Sequence, residues 1–275
     1  MKLAQTQTQP PVCLTIAGLD PSGGAGLIAD IKTFSAFGCF ASAAISSVTF
    51  QNTTGVFGAV HQTAESVRRQ VEPVIDDYQV AAVKTGMLPK REIIEEVARL
   101  IKEKNLRNVV VDPVVRSTSG FDLIDDEALA ALIERLFPLS DLVTPNIPEA
   151  ERITRSEITS ENDIAEAAQV IQSMGARNVL IKGGHAFEGE RQMSKGTPRQ
   201  AKDFLFADGK VTLFESDFIE TTATHGTGCT LAAAIAANLA LGKNLIDAVR
   251  ISKDFVTEAI RTAPQIGKGH SPINI

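Results

Sequence analysis

Residues 12–37 read VCLTIAGLDPSGGAGLIADIKTFSAF. An apolar run over 12–17, with Thr15 its one polar residue, stops at Gly18, a glycine-rich loop follows, and Leu27, Ile31 and Phe34 then recur at helical spacing over 27–37. A short run with no polar face, followed by a helix, is the mark of a strand buried between two helical layers. The unit repeats downstream. Strands are expected over 40–48, 80–83, 108–111, 142–143 and 179–181. Helices are expected over 64–75, 93–104, 128–137 and 164–174, the last closed by Gly175. This alternation predicts an α/β chain with a mainly parallel sheet covered on both faces. Two later features break the rhythm. The polar stretch 187–201 reads as a surface loop. Residues 204–206 and 211–214 flank Asp208-Gly209, the signature of a hairpin with a type I′ turn. Helices over 231–240 and 245–260 complete the pattern. The simplest organisation is a disordered tail, 1–11, and a single domain, 12–275.

Composition bounds the function. The chain has 275 residues, 22% charged and 44% hydrophobic, with a formal net charge of −6. No basic run exists, so a duplex nucleic-acid binder is not expected. The three cysteines (Cys13, Cys39, Cys229) are odd in number and widely spaced, which suits a reducing compartment better than a disulfide scaffold. No zinc-ligand spacing occurs. The N-terminus carries no secretory apolar segment, and the stretch 231–241 is too short to span a bilayer, which needs ~20 apolar residues. A soluble cytoplasmic protein without membrane contact is the expectation.

In open parallel sheets, ligands sit beyond the carboxyl ends of the strands. There the sequence places AGLDPSGGAG, FQNTTG, KTGM, DPV, TPN, KGG and THGTGC. Glycines in series let a backbone approach a ligand closely. His225-Gly226-Thr227-Gly228-Cys229 opens an apolar helix, and a helix start exposes free N–H groups to an anion. The same position should lower the Cys229 thiol toward thiolate. A plain helix start with a buried cysteine is the alternative. Gly24-x-Gly26-x-x-Ala29 matches a dinucleotide fingerprint only weakly, because the loop is longer than that motif needs, and neither a Walker A sequence nor a G-x-S-x-G elbow is present. Asp30, Lys84, Asp112, Glu149 and Lys182 are the charged residues near strand ends. Lys182, before two glycines, suits a phosphate. Asn146-x-x-Glu149 suits either a hydrated Mg²⁺ or a helix cap with its first-turn acid. Met87 and Phe50 read more naturally as core residues.

Taken in order, AGLDPSGGAGLIADIKTFSAFG, SVTFQNTTGV, KTGML, DPVVRSTSG, TPNIPEA, KGGH, THGTGCT and GKGHSP resemble the hydroxymethylpyrimidine/phosphomethylpyrimidine kinases of thiamine biosynthesis, within the ribokinase-like superfamily. The resemblance runs over about 12–272. It implies a three-layer α/β/α sandwich and two successive ATP-dependent phosphorylations, of 4-amino-5-hydroxymethyl-2-methylpyrimidine and then of its monophosphate. It implies that Asp30 and Gln51 hydrogen-bond the ring while Gly18, Met87 and Val114 pack around it. Gly226, Thr227 and Gly228 would form the anion hole, with Cys229 as base. Lys182, Asn146 and Thr224 would serve ATP and its phosphates, and Glu149 with Asp112 would serve Mg²⁺. Related enzymes suggest a homodimer. The chain departs from the family pattern at Leu19, Phe50, Thr118 and Ala223, and at the long stretch 187–201. A pyridoxal or pyridoxine kinase of the same superfamily is the nearest rival, and Gln51 with Asp30 is the donor–acceptor set that separates the two. A non-catalytic sensor would be expected to lose Lys182, Glu149 or Cys229. A dehydrogenase rests on the weak glycine match alone.

Overall fold

The computed structural model describes residues 9–116, 122–183 and 199–275. Its spine is one sheet of nine strands: β1 (Val12–Leu19), β2 (Phe40–Asn52), β3 (Gly55–His61), β4 (Val80–Thr85), β5 (Val109–Val111), β6 (Leu142–Val143), β7 (Val179–Lys182), β8 (Gln200–Ala207) and β9 (Lys210–Asp217). The spatial order is β3-β2-β1-β4-β5-β6-β7-β8-β9. Strands β2, β1, β4, β5, β6 and β7 run parallel, and β3 at one edge and β8-β9 at the other are antiparallel additions. Parallel strands covered on both faces need no polar alternation: the three residues of β5 and the central six of β1 are all buried.

Helices α1 (Gly26–Ala36), α7 (Thr227–Ala240) and α8 (Leu245–Arg261) cover one face, where Phe34, Leu231, Ile235 and Val249 pack on Cys13, Val110 and Leu180. The other face carries α2 (Ala64–Asp77), α3 (Arg91–Glu103), α4 (Asp126–Ala131), α5 (Ile147–Thr154) and α6 (Glu161–Ser173). The result is three layers, α/β/α. Helix α7 is almost wholly buried because alanines line it; small side chains let it lie close against sheet, α1 and α8.

The helix expected over 128–137 is broken into α4, a π turn (Leu132–Leu136) and a 3-10 turn (Phe137–Leu139), where Pro138 cannot continue an α-helical ladder. FQNTTG, expected as a loop, is a hairpin: β2 runs on to Asn52 and turns through Thr53-Thr54 into β3, an edge strand absent from the expectation. The turn at Asp208-Gly209 has φ of 50° and 70°, the positive pair that a type I′ hairpin requires. The start of the expected tail (1–8), Thr118, and most of the expected loop (187–198) lie outside the described residues; Gln200 and Ala201 belong to β8.

Candidate active site

A cleft of about 1550 Å³ opens over the carboxyl ends of β1, β4, β5, β6 and β7. Two loops distant in sequence form one wall. Gly226 precedes α7 in the left-handed region, φ 88°, and a Cβ there would fall 1.9 Å from the Gly24 carbonyl oxygen. Only glycine fits so close an approach. A Cβ on Gly24 would likewise strike His225, 2.5 Å away. The loop after β1 and the start of α7 are therefore interlocked backbones.

The helix begins without a side-chain cap; Thr227 N–H makes a long bond to Thr224 O at 3.4 Å, and no side chain occupies the N–H groups that follow. Lys182 Nζ stands beside this start, 3.2 Å from where a Gly228 Cβ would be. It donates to Asp112 Oδ1 at 3.0 Å and lies 3.8 Å from Glu149 Oε2. Burial would lower this ammonium, but Asp112 and Glu149 override it and hold it charged. Asn146 caps α5: its side chain accepts from Glu149 N at 2.8 Å, and Glu149 Oε2 accepts from Asn146 N at 2.8 Å. That reciprocal box fixes the Glu149 carboxylate at the rim of the cleft. Burial pushes its carboxyl up to about 7, against the pull of Lys182. Among the described residues no cluster of three or more His, Cys, Asp or Glu could cage a metal. Asp112 and Glu149 suit the other mode of magnesium binding, in which the ion keeps its waters and is shared with phosphates.

Cys229 lies in the first turn of α7. The expected thiolate is corrected here. Burial pushes the thiol up to about 11; Lys84 pulls it down, and Asp112 and Asp30 push it further up. Helix-start polarity is the smaller effect once water is excluded.

Asp30 is also corrected. It does not line the cleft. Its side chain is wholly buried, accepting from Thr15 Oγ1 at 2.6 Å and Lys84 Nζ at 2.9 Å. Both bonds fall on Oδ2 and Oδ1 is buried without a partner, so the carboxylate lies beneath the floor of the cleft rather than in its lining. Lys84, also fully buried, is kept charged by Asp30 despite burial. Gly18, Gln51, Met87 and Val114 do line the cleft, as do Thr224 and the run 226–229.

Asp20, Asp203 and Lys253 escaped the sequence reading, and His225 entered it only as part of the 225–229 run. Asp20 gathers Ser22, Ala25 and His225 at 2.7–2.9 Å, and its Pro21-Ser22 continuation was the signal of an Asx turn. His225 Nε2 is its 2.7 Å partner. Lys253 Nζ and Asp203 Oδ2 pair at 2.7 Å, joining α8 to β8 at the far end of the cleft; a lysine on a buried helical face was the available sign.

A family model described as phosphomethylpyrimidine kinase matches residues 20–274. The chain belongs to the phosphomethylpyrimidine kinase family. It is an enzyme, a phosphotransferase of the ribokinase-like fold. The hydroxymethylpyrimidine/phosphomethylpyrimidine kinase of Haemophilus influenzae is 43% identical over 261 residues, covering 95% of each chain. Among solved structures, a phosphomethylpyrimidine kinase from Clostridium difficile 630 is 40% identical, with a TM-score of 0.78 over 91% of this chain and 99% of that one. A Bacillus subtilis pyridoxal kinase, solved as an ADP complex, is 35% identical, with a TM-score of 0.86 over 97% of each chain. Kinases of this family use ATP as co-substrate. No described helix of this one is long and apolar enough to cross a membrane.

Proposed function

We propose that the chain phosphorylates 4-amino-5-hydroxymethyl-2-methylpyrimidine to its monophosphate and then to its diphosphate, with ATP and Mg²⁺. The observation that carries this reading is one cleft holding both a carboxamide for a heteroaromatic edge, Gln51, and an uncapped helix start, 226–229, flanked by a charged lysine.

On this reading the Gly226, Thr227 and Gly228 backbone N–H groups and the Lys182 ammonium serve the charge that spreads over a transferring phosphoryl group, Thr227 N–H exchanging its long bond to Thr224 O for the phosphate. Fixed donors of this kind need no reorganisation during the reaction. Magnesium, when bound, neutralises phosphate charge, and Glu149 and Asp112 would hold it through its waters. Apolar Ile219, Leu231, Val256 and Ile260 line the cleft near Lys253 and suit a flat nucleobase. Cys229 takes the proton of the acceptor alcohol in the first phosphorylation as its thiolate, the minority form at neutral pH, so the thiol first gives its own proton to solvent. The second acceptor is a phosphate monoester already ionised at neutral pH and needs no base.

The test is ATP consumption with magnesium and three acceptors in parallel: the pyrimidine alcohol, its monophosphate and pyridoxal. Turnover of both pyrimidines well above pyridoxal is expected. Turnover of pyridoxal alone would move the chain to the second reading, which the pyridoxal kinase likeness favours.

A further inference from the structure

The motif GKGHSP, residues 267–272, plants one imidazole between the two parts of the site. On one side, Lys268 N and Gly269 N donate to Thr53 Oγ1 at 3.2 and 3.3 Å, and His270 N donates to Thr53 O at 2.8 Å. Thr53 lies two residues beyond Gln51. On the other side, His225 N donates to Ser271 O at 3.3 Å and Ile273 N donates to His225 O at 3.4 Å. The backbone around His270 is thus tied both to the strand that carries Gln51 and to the loop that opens α7. The His270 side chain lines the cleft, its Nδ1 3.4 Å from Thr224 Oγ1. The Thr224 carbonyl in turn accepts from Thr227 Oγ1 at 3.1 Å, inside the first turn of α7. His270 Nε2 has no hydrogen-bond partner among the described residues. Four other basic side chains of the cleft each face a carboxylate at 2.7–3.0 Å: Lys84 on Asp30, Lys182 on Asp112, His225 on Asp20 and Lys253 on Asp203.

Two phosphorylations at one site pose a problem of space and charge. The first acceptor is a neutral alcohol, so the only anion on its side of the cleft is the phosphoryl group in transfer, held by the helix start. The second acceptor brings an ester phosphate of its own, which is largely a dianion at neutral pH. That group must leave the helix start free for the incoming phosphoryl group and stand beside it. The N–H groups of 226–228 serve the incoming group, so the ester phosphate needs other donors, placed between the helix start and the ring. The clasp holds His270 at that place. With the Thr224 hydroxyl donating to Nδ1, a neutral imidazole carries its proton on Nε2 and offers it to a phosphate oxygen. A bond from N–H to an anionic oxygen is of the stronger kind.

We propose that His270 forms a second anion subsite, on the acceptor side of the α7 start, which takes the ester phosphate of a phosphomonoester acceptor and serves the second phosphorylation alone. The inference rests on the pyrimidine reading above and deepens it. Labour is then divided between two residues: Cys229 acts on the acceptor that has a proton to lose, and His270 on the acceptor that has a charge to hold.

The experiment measures steady-state kinetics with the pyrimidine alcohol and with its monophosphate for the wild type, His270→Ala and His270→Gln. His270→Ala should raise KM for the monophosphate by about 10–50-fold and keep kcat/KM for the alcohol within about threefold of wild type. Glutamine carries an N–H close to the reach of Nε2, so His270→Gln should recover most of the lost affinity without a positive charge. Equal losses on both acceptors overturn the proposal and leave His270 a part of the clasp. An unchanged KM for the monophosphate overturns it too. The His270 side chain is exposed, and thermal unfolding checks that the variants keep the wild-type fold. A measurement on the wild type needs no variant. With magnesium and a non-hydrolysable ATP analogue present, the monophosphate should shield His270 from diethyl pyrocarbonate, read by mass spectrometry, and the alcohol should not. Equal shielding by both acceptors, or by neither, overturns the subsite. A wild type that phosphorylates neither pyrimidine refutes the pyrimidine reading, and the proposal with it. Turnover of both by the wild type, with a His270→Ala protein that loses both alike, refutes only the subsite.

Discussion

Cys229 shows two physical effects in competition at one atom. The helix start and Lys84 favour the thiolate, burial favours the thiol, and burial prevails, holding the group near 11. The unliganded enzyme therefore carries a protonated thiol at pH 7. Alkylation of Cys229 by iodoacetamide, with Cys229→Ala as blank, should be slow at neutrality and still rising at pH 10; a plateau near pH 8 would contradict the burial argument. If Cys229 is the base, Cys229→Ala should slow the first phosphorylation by about 10²–10³-fold and leave the second within a few-fold. Equal losses in both steps would assign the thiol a structural role. At this scale the residues after each strand were legible, because glycine and charge cluster there for a chemical reason. What they touch was not. Asp30 looks available in sequence, yet its helix turns it under the sheet onto Lys84, which lies 54 positions away. Cys229 reads as an activated thiol until its burial and the Asp112 and Asp30 carboxylates near it are known.

Helix α5 does two jobs with one pair of side chains, and Glu149→Gln separates them. Glutamine keeps the reach of the capping box, so the variant's stability should stay within about 1 kcal/mol of wild type by thermal unfolding. It removes the charge proposed to hold magnesium. Because burial raises the Glu149 carboxyl to about 7, its ionised fraction falls as pH drops through neutrality. The magnesium concentration for half-maximal rate should accordingly rise from pH 8 to pH 6 in the wild type and stay flat in Glu149→Gln; parallel pH curves would exclude this carboxylate from the ion. The start of α7 allows a harsher test. Gly226→Ala combines a left-handed φ of 88° with a carbonyl 1.9 Å from the new Cβ. It should cost about 2 kcal/mol or more of stability and nearly all phosphoryl transfer. Buried parallel strands and amphipathic helices were readable as elements because burial imprints their periods. Strand β3 was not: a glycine at position 58 and exposed Phe57 and Val60 give an edge strand no apolar face to display.

The whole molecule closes its site with its far end. The segment 267–270 clasps the hairpin turn two residues beyond Gln51: His270 N donates to Thr53 O at 2.8 Å, and Gly269 lies so close that a Cβ would sit 2.1 Å from that same oxygen. Ser271 and Ile273 continue the clasp onto His225. Gly269→Ala should therefore raise KM for the acceptor roughly tenfold while kcat at saturation changes little, as steady-state kinetics would show. An unchanged KM would mean that the turn is held by its strands alone. Layering was legible from the alternation of elements, but this clasp was not, since it joins backbone to backbone and leaves no pattern in side chains. The interlock of Gly24 with Gly226, and of Asp20 with His225, carries a kinetic corollary. A refolding chain can build helices, and even most of its sheet, while these two loops remain apart, and contacts so remote in sequence are slow to form. Such a molecule would look native by far-ultraviolet circular dichroism and bind no phosphate. Recovered activity should thus lag the helical signal and keep time with the last tertiary probe, making catalysis itself the clock for the end of folding.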